Sequence, residues 1–193
     1  MKVLPCGDRA VLLDCGSLEE ATAWFAALDD LKPVLGAQTV LVKGSPKELR
    51  AAVASRTPKP TPASAANAEL VVAATYDGPD LEEVARATGI TVAEVIAAHT
   101  ASTWTVGFGG FAPGFAYLVG GDPRLRVPRR QTPRASVPAG SVGLAGEFSG
   151  IYPRPSPGGW QLIGRTEIEL FDVTRDPPAM LQPGMRVRFE ETP

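Results

Sequence analysis

Arginines carry most of the legible chemistry in this chain. Between Thr105 and Gly164 stand Arg124, Arg126, Arg129, Arg130, Arg134 and Arg154 against two acids, Asp122 and Glu147. That is an excess of four positive charges in a chain whose net charge is -2. A guanidinium is a planar fork that grips carboxylate or phosphate with two parallel hydrogen bonds. The glycine-flanked turns among these arginines let backbone amides approach an anion closely. Together they read as a site for a small anionic molecule. The alternative is that each arginine is solvated or paired at the surface. The single histidine, His99, falls near the C-terminal end of an expected helix, where the helix dipole favours the protonated ring. Such a ring could donate to a substrate oxygen or carry a proton near neutral pH. The alternative is a structural histidine bonded to a carbonyl.

Several chemistries are disfavoured. One histidine and two cysteines, Cys6 and Cys15, barely supply the ligands of a zinc site, so no metal site is expected. The two cysteines read as free thiols of a reducing compartment. Gly107-Phe108-Gly109-Gly110 lacks the GxxxxGK[ST] pattern of a phosphate loop. No Ser/His/Asp triad can be ordered. The slightly negative net charge argues against nucleic acid as partner. No apolar run reaches the ~18 residues of a membrane span, and Met1-Lys2-Val3-Leu4-Pro5 lacks the apolar core of a secretory signal. A cytoplasmic chain is expected.

The elements that must position these residues fall into two parts. All five lysines precede residue 60, and every later cation is arginine. The change coincides with a Pro/Ala-rich linker over residues 57–68. Residues 1–56 read as an α+β sandwich, with the strand near 70–75 a candidate to complete it. Strands are expected over Arg9–Asp14, Val34–Leu35 and Thr39–Val42. Helices should start at the capping-box patterns Ser17-Leu18-Glu19-Glu20 and Ser45-Pro46-Lys47-Glu48. Asp8 and Arg9 read as turn and surface residues. In residues 69–193, helices begin at Asp80 and Thr91. Short strands follow over Ser102–Phe108, Val137–Ala145, Trp160–Gly164, Ile168–Phe171 and Met185–Phe189, the pattern of an antiparallel barrel or sandwich.

The ordered motifs resemble one family. They are Gly110-Phe111-Ala112-Pro113-Gly114-Phe115-Ala116-Tyr117-Leu118, Pro128-Arg129-Arg130, Pro133-Arg134, Val137-Pro138-Ala139-Gly140-Ser141-Val142, Gly150-Ile151-Tyr152-Pro153 and Ser156-Pro157-Gly158-Gly159-Trp160 running on to Thr166. With Gly7-Asp8, Tyr76, Gly78-Pro79-Asp80-Leu81 and His99, they resemble the B subunit of 5-oxoprolinase. The same family holds chains called allophanate hydrolase subunit 1 and the KipI-type kinase inhibitors. The resemblance implies an α+β N-terminal sandwich followed by a cyclophilin-like antiparallel β-barrel. It implies a complex with two further chains, a homologous C subunit plus an A subunit. That assembly would open the lactam of 5-oxoproline, using ATP with Mg at the level of the complex. The resemblance points to His99, Arg130 and Arg134 as catalytic polar residues. It points to Phe111, Pro113, Phe115, Ser141, Tyr152 and Trp160 as substrate-binding. The alternatives it leaves are docking on a sensor histidine kinase and an allophanate or urea-type amidohydrolase. Where the family pattern has Gln and Thr, this chain has Phe148 and Ser149. It also has Trp104 in place of a frequent Tyr, and lacks a Cys near Ala74.

Overall fold

The computed structural model describes residues 1–59 and 69–193, so most of the expected linker lies outside the described residues. The chain divides into two units, Met1–Ala63 and Ser64–Pro193.

The first unit is a four-stranded antiparallel sheet with two helices packed on it. Its strands are β1 (Lys2–Pro5), β2 (Ala10–Asp14), β3 (Val34–Leu35) and β4 (Thr39–Lys43), in the order β1-β2-β4-β3. Val11 pairs with Val42 and Leu13 with Val40. Because side chains alternate across a strand, these four point the same way, and all are fully buried. Helices α1 (Leu18–Ala27) and α2 (Pro46–Ala54) contribute Ala21, Trp24, Leu49 and Val53 to the core. The capping boxes form only in part. Ser17 Oγ accepts from the Glu20 N–H, but the Glu20 carboxylate turns to the N–H of Gly16, one residue further out. Ser45 is the N-cap of α2 without a side-chain cap bond.

The second unit is a barrel. It contains β5 (Glu69–Ala74), α3 (Leu81–Thr88), α4 (Val92–Ala101), β6 (Trp104–Gly109), β7 (Ala116–Val119), β8 (Arg134–Val137), β9 (Ser141–Ala145), β10 (Phe148–Ile151), β11 (Ser156–Gly158), β12 (Gln161–Arg165) and β13 (Arg186–Glu191). Seven strands form one sheet in the order β12-β9-β10-β7-β6-β13-β5, and β8 pairs with β11 in a separate ribbon. The sheet closes where Thr75 and Arg165 exchange two backbone hydrogen bonds of 2.9 Å. Trp104, Leu118, Leu144, Ile151, Ile163 and Phe189 fill the interior, and α3 and α4 pack against it with Val84 and Val95.

Three expectations are corrected here. The barrel is not wholly antiparallel, because β5 and β13 run parallel. That pairing places β5 in the barrel sheet and not in the first one. The expected strand over Val137–Ala145 is broken at Gly140, which has φ +78° and sits where a Cβ would run into the Thr166 carbonyl oxygen. Its N–H instead bonds the Tyr152 carbonyl at 2.7 Å and turns the chain from β8 into β9. Finally, Ile168–Phe171 makes no strand. Leu170 is buried as an apolar anchor, and Phe171 forms only a single bridge to Ala179. Among the described residues, no helix is long and apolar enough to cross a membrane.

Candidate functional site

The arginine cluster is organised by a residue fifty positions upstream. Asp80 precedes α3 and is its N-cap, yet its side chain makes no cap bond. Aspartate is a preferred helix cap, so the local pattern suggests an ordinary helix start. Instead, Asp80 Oδ1 accepts from Arg130 Nη1 and from Arg134 Nη2, each at 2.7 Å, and Oδ2 accepts from the Leu162 N–H at 2.7 Å. Asp80 is 3% exposed. Burial alone would raise its pKa, but the Arg134 hydrogen bond, the Leu162 N–H and the two guanidinium charges outweigh burial and lower it.

The loop before α3 has to press on β12 for this to happen. The Gly78 N–H bonds the Ile163 carbonyl at 3.2 Å, and the Asp80 N–H bonds the Leu162 carbonyl at 3.0 Å. A Cβ on Gly78 would run into the backbone of Leu162, Ile163 and Gly164. The second wall comes from the 128–134 segment. Arg130 N–H bonds the Gly159 carbonyl at 2.8 Å, and Gln161 Nε2 reaches the Pro128 carbonyl at 3.3 Å. Arg134 opens β8, opposite Gly158 of β11.

Three buried side-chain atoms in this region have no hydrogen-bond partner among the described residues: Arg130 Nε, Arg134 Nη1 and Gln161 Oε1. Buried polar groups in folded proteins nearly always find partners, and each exception calls for a reason. The other arginines behave differently. Arg124 pairs with Asp122 at 2.6 Å and Arg126 with Glu147 at 3.5 Å, whereas Arg129 and Arg154 are exposed. The charge excess therefore resolves into local surface pairs and one half-buried pair of arginines on a single buried carboxylate.

His99 stands in a different hydrogen-bond group. It is fully buried in the last turn of α4. Nδ1 lies 2.7 Å from the Tyr76 hydroxyl and Nε2 2.9 Å from Ser149 Oγ. Trp104 Nε1 donates to the His99 carbonyl at 3.1 Å, and the ring packs on Trp104 and Phe189. Burial pushes its pKa down to about 3. The ring's partners are two hydroxyls where the structural alternative had a carbonyl, and burial opposes the protonated form that the helix dipole favours. Desolvation of a charged imidazole outweighs the modest dipole term at the helix end. A neutral ring carries one N–H, so it donates to one hydroxyl and accepts from the other. Ser149 keeps the hydroxyl that the family pattern supplies with threonine.

The expected substrate-binding residues largely come together. Phe115, Tyr152 and Trp160 meet edge to face, with centroids 5.5 Å apart for Phe115–Tyr152 and 5.4 Å for Phe115–Trp160. Phe111 contacts Phe115 and Tyr152 while remaining 58% exposed, and it adopts φ 65°. A phenylalanine in the left-handed region costs about 1–2 kcal/mol, so the surrounding turn must hold it there. Phe148 stands edge-on to Tyr117 and Phe108, adding a phenyl to the same aromatic face. Pro113 is exposed in the turn before Phe115. Ser141 is buried at the start of β9, where its carbonyl accepts from the Tyr152 N–H at 2.9 Å. It takes its place through the backbone. Sequence reasoning missed Asp80 and Gln161 as site residues. Both lay within quoted motifs, but a helix-start aspartate and a strand glutamine carry no chemical signal of their own.

Gly158 gives a direct test of the aromatic wall. A Cβ there would run into the Tyr152 hydroxyl. Gly158→Ala is expected to destabilise the protein by about 1–3 kcal/mol through overpacking and to move the Tyr152 ring. Urea unfolding and near-UV circular dichroism would check it; an unchanged midpoint would show that the ring yields without cost.

An α+β unit followed by a closed mixed barrel, with a buried carboxylate holding two arginines, defines the class. The family model for the carboxyltransferase domain, subdomains C and D, matches residues 1–181, and the chain belongs to that family. Its sequence is 50% identical over 112 residues to the B subunit of 5-oxoprolinase from Bacillus subtilis, covering 58% of this chain and 47% of that protein. The solved structure of TTHA0988 superposes with a TM-score of 0.79 at 32% identity, over 96% of this chain and 40% of that one. The K. lactis urea amidolyase shares the fold, with a TM-score of 0.75 at 18% identity over 98% of this chain and 15% of that one. The match thus spans about half the length of the curated relative.

Proposed function

We propose that this chain acts as the B-type component of an ATP-dependent 5-oxoprolinase, in the cytoplasm, together with a homologous C subunit plus an A subunit. The reaction is 5-oxoproline plus ATP and water giving glutamate, ADP and phosphate. The observation that carries the reading is the 50% identity over 112 residues to the B subunit of 5-oxoprolinase, in a chain that places two arginines on one buried aspartate. A lactam is resonance-stabilised, and turning its oxygen into a phosphate ester makes it a leaving group. Such a route needs cations near developing negative charge and groups that fix the ring. Arg130 and Arg134 supply the cations, and Phe111, Phe115, Tyr152 and Trp160 supply the wall.

ATP and Mg are assigned to the complex. The test is co-expression with a C-type homologue, addition of the A-type component, and an assay of ADP release. The expected result is ATP hydrolysis that depends on 5-oxoproline and on this chain. Correct assembly without such turnover would overturn the reading.

A further inference from the structure

Phe111 is held in a strained backbone conformation with more than half of the residue in water. It is 58% exposed, and its φ is 65°. The Ala112 N–H bonds the Gly110 carbonyl at 2.7 Å, so Phe111 is the centre of a three-residue turn of the rare, strained hand. The residues that follow lock it in place. The Phe115 N–H bonds the Ala112 carbonyl at 2.9 Å, with Pro113 and then Gly114 (φ +83°) between them, the pattern of a type II turn. The Gly110 N–H bonds the Phe115 carbonyl at 3.2 Å, just beyond the Gly109–Ala116 pair of β6 and β7. A Cβ on Gly114 would meet Pro153 and Phe171, so the loop rests directly on those two side chains.

Neither burial nor backbone preference accounts for a phenylalanine at this position. Glycine or asparagine takes a positive φ with less strain, and a ring left in water gains little from the hydrophobic effect. Strain that the surroundings over-determine gathers at binding sites and clamps. Aromatic residues and arginine are the side chains enriched at protein interfaces. A ring on a preformed loop can fill a partner's pocket with little loss of conformational freedom.

The surroundings of the ring are cationic. Burial raises the pKa of the Tyr152 hydroxyl, and the Trp160 N–H and the Arg129 guanidinium oppose that rise. Arg129 is thus within electrostatic reach of the tyrosine whose ring Phe111 touches. Arg154 follows Pro153, on which the loop rests. Both arginines are exposed, and among the described residues neither enters an ion pair, in contrast to Arg124 and Arg126. A phenyl flanked by free cations is complementary to an apolar pocket rimmed by carboxylates.

We propose that Phe111 is the anchor of a protein-docking surface, flanked by Arg129 and Arg154, for a partner that presents an apolar pocket ringed by Asp and Glu side chains. The loop is preformed in the free chain. On docking, the partner covers Phe111, the exposed end of an aromatic wall whose inner members are Phe115, Tyr152 and Trp160. The inference rests on the proposed function for its choice of test partner, the C-type chain.

The test measures binding of the purified C-type chain to the full chain by surface plasmon resonance, alongside thermal melting of the free chain. Phe111→Gly removes the ring and relieves the turn. It should weaken binding by about thirtyfold or more, while the free variant melts no lower than the unaltered chain. Arg129→Glu and Arg154→Glu should each slow association by about tenfold at low salt, and the difference should shrink at high salt. Unchanged affinity in Phe111→Gly would overturn the proposal and, with a lower melting point, would give the ring a packing role. Association rates indifferent to both glutamate variants would overturn the acidic partner. No binding to the unaltered chain would overturn the docking surface and the complex together. The two readings separate in the assembled complex. Turnover of 5-oxoproline with assembly indifferent to Phe111→Gly removes the docking surface and leaves the function standing. Assembly that depends on Phe111, without turnover, does the reverse.

Discussion

Asp80→Ala is expected to destabilise the barrel unit by about 3 kcal/mol. Removing one partner of a buried ion pair leaves uncompensated charge, at a cost of roughly 3–5 kcal/mol. The lower end applies because both arginines keep some contact with water. Loss of a helix cap adds nothing to that figure, since the Asp80 side chain makes no cap bond. For a unit of this size, the melting temperature should fall by about 10 °C. Arg130→Met and Arg134→Met should each cost less, because the other arginine still neutralises the carboxylate. Thermal and urea unfolding of the three variants give the ranking. If either arginine variant were the least stable, Asp80 would not be the organising residue. The lowered Asp80 pKa places its own pH effect at acid. The stability it contributes is present above the usual carboxylate pKa and is lost as the pH falls through the lower folded value.

The second large effect separates His99 from the carboxylates. Its folded pKa is pushed down to about 3, while an unfolded histidine titrates near ~6.5. Between those values, the unfolded chain binds a proton that the folded chain refuses. Stability is therefore fully present above ~6.5 and falls as pH drops toward the folded value. From pH 7 to pH 5, the loss should be about 2 kcal/mol. With one histidine in the chain, the assignment is clean. Urea melts at stepped pH should show the slope, and it should vanish in His99→Asn. The histidine ring resonances should stay fixed from pH 8 to pH 5. A ring that titrates near 6.5 would mean that water reaches it, and would return His99 to consideration as a proton carrier.

The two effects contrast the settings of the arginines and the histidine. Arg130 and Arg134 are partly exposed and anchored on a buried carboxylate. His99 is bonded through Tyr76 and Ser149 inside the barrel, where it can order α4 against β10 but cannot reach solvent without local opening. Any effect of His99 on turnover would then act through the position of those elements.

By itself, the sequence determined the local elements and the order of the architecture. Cap residues, apolar periodicity and Gly/Pro turns marked α1, α2, α4, β2, β4 and β6, because the forces that set them act within a few residues of chain. The aromatic set of Phe115, Tyr152 and Trp160 followed from the family resemblance of the motifs that hold it, because no local pattern separates a wall aromatic from a core one. The tertiary structure alone decided that Asp80 gathers Arg130 and Arg134 across some fifty residues, that β5 runs parallel to β13, and that His99 is neutral. Each of these depends on burial and on contacts between distant segments. A charge count along the chain shows six arginines and cannot show which carboxylate will be folded against them. Desolvation, which fixes the state of His99 and the worth of the Asp80 pairs, exists only once the barrel has closed.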